Sequence, residues 1–80
     1  MINIPKFKLA FTLHTYNTTL EAVKSSLAEF GEELDISEVK DSAQKGKNFK
    51  ININTEEPTL IFDLCSQFGR IRSVKAEEVA

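Results

Sequence analysis

Polar and apolar residues alternate strictly from Lys6 to His14. Phe7, Leu9, Phe11 and Leu13 share one parity; Lys6, Lys8, Ala10, Thr12 and His14 share the other. A period of two over nine residues predicts a strand with one buried face. Pro5 just before it suits a strand entry. The same alternation returns at Asn48–Asn54, with Phe49, Ile51 and Ile53 inward and Lys50, Asn52 and Asn54 outward. Between these runs the period changes. Leu20, Val23, Leu27 and Phe30 recur at three and four residues, which predicts a helix with one apolar stripe. Thr18 and Glu21 have capping-box spacing at its start, and Gly31 stands as its stop.

Three further segments complete the pattern. Glu33–Lys40 reads as a second strand in which Leu34 and Ile36 agree in parity and Val39 does not; a bulge or an edge position accounts for such a slip. A polar loop, Asp41–Lys47, follows, with Gly46 able to take positive φ. Pro58 is tolerated only in a first helical turn, so a second helix begins near Glu56 or Glu57, carries Leu60, Ile61, Leu64 and Phe68 inward, and stops at Gly69. Ile71–Val79 is the last strand, again with a parity break between Ile71 and Val74. The order is βαββαβ. The two halves resemble each other, Phe30-Gly31 and Phe68-Gly69 occupying equivalent places. Two such units predict an α+β, ferredoxin-like sandwich spanning residues 1–80 as a single domain. Its four-stranded antiparallel sheet has the order 4-1-3-2, with both helices on one face. The cleanly alternating strands are then central and the two irregular ones are edges.

Composition narrows the function. The net charge is -2, with 28% charged and 41% hydrophobic residues. That excludes disorder and argues against a strongly basic nucleic-acid binder. Eighty residues lie near the lower limit for an unaided core, and self-association would help. One cysteine allows no internal disulfide, and no long apolar segment opens the chain. The expectation is a soluble cytoplasmic protein with no membrane segment.

Little catalytic chemistry is available. One His and one Cys exclude the usual zinc sites, and no phosphate-binding, nucleophile-elbow or dinucleotide motif is present. Cys65 and His14 would be nucleophile and base if any pair were. A small thiol at the margin of the apolar arc is more simply a core residue. The acidic pairs Glu32-Glu33, Glu56-Glu57 and Glu77-Glu78 mark element ends, and Glu56 and Glu57 in a first helical turn would oppose the helix dipole. No metal and no cofactor are expected, and the reading is non-enzymatic.

Three groups of residues are candidates for binding. Thr12 and His14, ending the first strand, should lie beside Lys50 on one side and Arg70 and Arg72 on the other. These three cations would form a patch for an anion, a phosphate backbone or an acidic partner, unless they merely solvate the open face. Phe62 falls outside the arc of the second helix and marks a self-association or partner contact, unless its ring folds over its neighbours. His14, Tyr16 and Asn17 have no structural duty and sit before a helix N-terminus, where free N–H groups favour anions. Lys45, Gly46 and Phe49 match a fragment of the third-strand motif of RNA-recognition modules. Phe7, Phe11 and Phe49 all share the inward parity, however, so the stacking platform of those modules is absent and the likeness is set aside.

Ser26–Lys40, with a helix ending at Phe30-Gly31 and a strand through Leu34-Asp35-Ile36, resembles the corresponding passage of ACT and ACT-like regulatory domains. The resemblance implies a dimeric module that binds an amino acid or another small effector near the loop after the first strand. That loop usually carries an Asp-x-Pro-Gly type motif; here His14–Thr19 contains neither Gly nor Pro. The expectation is therefore a small regulatory or binding module that self-associates, through the second strand or the helix face with Phe62. Nucleic-acid or acidic-partner binding through Lys50, Arg70 and Arg72 is the alternative.

Overall fold

The computed structural model describes residues 4–40 and 45–79. Its elements are β1 (Phe7–Thr15), α1 (Leu20–Leu27), β2 (Glu32–Val39), β3 (Lys47–Thr55), α2 (Pro58–Phe68) and β4 (Arg70–Glu78). Residues 41–44 of the expected polar loop lie outside the described residues. The four strands form one antiparallel sheet in the order β2-β3-β1-β4, which is the expected 4-1-3-2 taken from the other edge. No helix among the described residues is long and apolar enough to cross a membrane.

Alternation decides the layers. β1 and β3 pair along their whole length, with Leu9 opposite Ile53, Phe11 opposite Ile51 and Leu13 opposite Phe49. All six are buried, and Val23, Leu27, Ile61 and Cys65 of the two helices join them in one core. Each such side chain contributes roughly 1.5–3 kcal/mol by leaving water. The helices touch each other as well as the sheet, so one face is covered and the other is open. Phe62 is half-buried, its ring set edge-to-face on Phe11 at 5.4 Å, so it packs at the margin of the core.

Both outer strands carry a bulge, but only in β4 does it account for the parity break. In β4, Ser73 and Val74 together oppose Phe11; in β2, Glu33 and Leu34 together oppose Ile53. Ser73 and Glu33 have φ of 55° and 52°, the left-handed conformation that lets one extra residue bulge from a ladder. In β2 the bulge lies before Ile36, and from Asp35 to Val39 the register with β3 is unbroken. Val39 therefore takes the open-face parity and is exposed. A bulge on each edge discourages further strand pairing there.

The helix ends differ from expectation in places. The N-cap of α1 is Thr19, whose hydroxyl accepts the Ala22 N–H at 3.2 Å. The cap sits one residue later than the Thr18–Glu21 spacing implied, and with Ala at the third helical position no carboxylate returns the bond. α1 stops at Leu27, ahead of Gly31, and Phe30 turns out to the surface. Gly31 serves space instead: a Cβ there would lie 2.6 Å from the Asn54 carbonyl. α2 starts at Pro58, so Glu56 and Glu57 precede its first turn; the Glu57 N–H is taken by the Thr55 hydroxyl at 3.0 Å.

Candidate functional site

The open-face parity that ends β1 delivers His14 between two neighbours, Asn48 of β3 and Arg70 of β4. It is only 7% exposed. Its Nδ1 lies 2.9 Å from Asn48 Oδ1, and with the proton on Nδ1 the ring donates that bond. No buried side-chain polar atom among the described residues lacks a partner. The ring of Tyr16 meets the His14 ring edge-on at 4.9 Å, yet Tyr16 is 68% exposed. On another side the Gly46 backbone lies against it: a Cβ at Gly46 would come within 2.9 Å of Tyr16 Cδ1. Gly46, at φ 89°, has both the conformation and the clearance that only glycine supplies.

The start of β4 is drawn in by Gly69, whose missing side chain lets the backbone pass against the His14 carbonyl. Arg70 then pairs with His14 and Arg72 with Thr12, while Lys50 pairs with Thr12 from the opposite side. The cleft bounded by His14, Tyr16, Gly69, Arg70 and Arg72 has a volume of about 460 Å³. Two groups of residues that sequence reasoning kept apart thus meet: His14 and Tyr16 line the same cleft as Arg70 and Arg72. Lys50 continues the cationic row across β1. Asn17 is exposed and does not line the cleft, and Phe62 belongs to the helix layer.

Charge is segregated along the strands. Lys45, Lys47, Lys50, Arg70 and Arg72 cluster at the His14–Tyr16 end, with Glu38 of β2 nearby. Glu77 and Glu78 sit at the Phe7 end, together with a second cleft of about 430 Å³ edged by Glu29, Glu32, Glu56 and Glu57. Lys6 and Lys8 partly neutralise that end, Lys6 through its 2.9 Å ion pair with Glu32, the only salt bridge among the described residues, and Lys8 in register with Glu77. The hydrogen bond and then the charge of Lys6 hold the Glu32 carboxyl below its ordinary range, and Lys6 is raised in return. The net charge of -2 conceals this separation.

The other candidate chemistry is not assembled. Cys65 is fully buried in the helix layer, and burial pushes its thiol up to about 11. His14 has the opposite-face parity, so the sheet separates the two side chains. No group of three or more His, Cys, Asp or Glu among the described residues is placed to hold a metal. Sequence reasoning missed the contributions of Gly46, Lys47 and Gly69. The Lys45-Gly46-Lys47 triplet was a visible signal, but its contact with Tyr16 is tertiary. No family model matches the chain, and no curated protein or solved structure matches it.

Proposed function

We propose that this chain is a small, non-enzymatic binding module of ferredoxin-like build, and that the cleft at the end of β1 takes an anionic ligand. The observation that carries this reading is the register of Arg70 and Arg72 against His14 and Thr12, beside an exposed Tyr16. Neither arginine has an ionic partner among the described residues. Two guanidinium groups without carboxylates make a receptor for carboxylate or phosphate oxygens. The ferredoxin-like assignment is supported by the βαββαβ order and the strand order of the sheet. The ACT-like expectation of an effector near the loop after β1 agrees with this location through His14 and Tyr16.

Thermal melting with phosphate, citrate and nucleoside monophosphates tests the reading. A ligand present at a hundred times its Kd adds about 2.7 kcal/mol, which is many degrees in a domain this small. The R70S/R72S variant should melt normally and lose the shift. Absence of any shift with every anion in the wild-type protein refutes the reading.

A second reading, self-association, rests on Asp35–Val39. This regular stretch of an open edge carries the half-buried Ile36 and an exposed Val39. Antiparallel pairing about Ile36 joins two sheets with Ile36 set against its copy. It also brings Asp35 diagonally near its copy, so added salt should strengthen the dimer. Sedimentation showing a monomer at high protein and salt concentration removes this route.

A further inference from the structure

Resting on the anion-binding reading, we propose that the ligand is a short run of single-stranded nucleic acid, with one base stacked on Tyr16 and its phosphates crossing the open face over Arg70, Arg72 and Lys50. Tyr16 is the first argument. Its ring packs T-shaped on His14 at 4.9 Å and beside the Gly46 backbone, while two-thirds of its surface stays open. An accessible aromatic ring among cations is the element that single-strand binders use for sequence-tolerant stacking.

The spacing of the cations is the second argument. Lys50 and Arg72 lie on strands either side of β1, in register through Thr12. Neighbouring strands are about 4.8 Å apart, so their backbones stand roughly 10 Å apart. Arg70 lies one row nearer Tyr16, across from Asn48. Charges in two rows, on the two strands either side of β1, suit a chain of anions better than one compact ion. Between them the surface is low: Ala10, Thr12 and Asn52 share the open face. Its acids, Glu33, Asp35 and Glu77, lie further toward the other end, with Lys8 and Lys75 among them. The Glu-rich end repels a phosphate backbone and orients its approach. An acidic peptide would use the same cations and leave Tyr16 idle. A duplex keeps its bases stacked away from the ring.

Fluorescence anisotropy with a labelled eight-nucleotide oligo-U or oligo-dT is the test, with polyphosphate, polyglutamate and a short duplex as competitors. Three phosphate contacts give a salt slope near -2, so affinity should fall roughly twentyfold between about 50 and 200 mM salt. Y16A should weaken oligonucleotide binding about five- to fiftyfold and leave polyphosphate binding unchanged; Y16F should retain it. R70S/R72S should weaken both ligands. Circular dichroism checks that each variant folds, and Tyr16, being exposed, should be dispensable for folding. If Y16A has no effect, or polyglutamate or the duplex competes better than a single strand, the nucleic-acid assignment is overturned and anion binding stands. If no anion binds even at low salt, both readings fall.

Discussion

The hydroxyl of Thr15, at the end of β1, donates a 2.7 Å hydrogen bond to the carbonyl of Phe68, at the end of α2. The other half repeats it: Thr55, ending β3, donates to the Phe30 carbonyl, also at 2.7 Å. Both threonines are 1% exposed. Each half of the chain therefore ties its central strand to the Phe-Gly pair of the other half. This pseudo-symmetric exchange helps to hold Tyr16 and Arg70 at one cleft, because Thr15 directly precedes Tyr16 and Phe68 stands two residues before Arg70.

Replacing either threonine by valine keeps the shape and leaves a backbone carbonyl, of Phe68 or of Phe30, short of a donor. Thr15→Val and Thr55→Val should each cost about 1–3 kcal/mol in urea unfolding. Thr15→Ser restores the hydroxyl and should recover most of that loss. A serine variant as unstable as the valine one would show that the bond is not the source.

Gly69 is extended, so its role is clearance, not a special φ. A Cβ there runs into the His14 carbonyl. Gly69→Ala should destabilise by about 1–3 kcal/mol, as overpacking does, and should also weaken anion binding by moving Arg70 away from His14. Normal stability and affinity in that variant would contradict the close approach.

The Lys6–Glu32 pair is solvent-accessible, so its effect should be small and screened by salt. The folded-state value of Glu32 is depressed, so its contribution is present above the ordinary carboxylate range and lost as pH falls through the depressed value. Lys6 is raised, so its contribution is complete below the ordinary lysine value and lost as pH climbs through the raised one. The stability difference between wild type and Glu32→Gln should be flat near neutrality and vanish in acid. A difference that grows on acidification would assign it elsewhere.

Cys65 should be inert in the folded protein. With its thiol pushed up to about 11, roughly one molecule in a thousand holds the thiolate at pH 8, and burial blocks access as well. Labelling by a thiol reagent should follow the unfolding equilibrium as denaturant is added. Rapid labelling without denaturant would show that the α2 side of the core opens locally.

The layers of this protein are legible in its sequence because side-chain parity is a local property. Phe7–Leu13 and Phe49–Ile53 alternate whatever surrounds them, and the change to a three-and-four period at Leu20 marks the helix. Even the row of Thr12 with Lys50 and Arg72 follows once antiparallel neighbours are assumed. Other features depend on contacts distant in sequence. The stop of α1 at Leu27, the cap at Thr19 and the bulges at Glu33 and Ser73 reflect how each segment meets its neighbour. Tyr16 read as a loop residue because its supports, Gly46 and His14, act through space. Net charge, a sum, says nothing of the separation between the Glu29–Glu57 end and the Lys47–Arg72 end. Only the antiparallel folding of the chain, which brings residues 14, 47 and 70 to one end of the sheet and 7, 32 and 57 to the other, turns a balanced sequence into a polarised molecule with a candidate site at its cationic end.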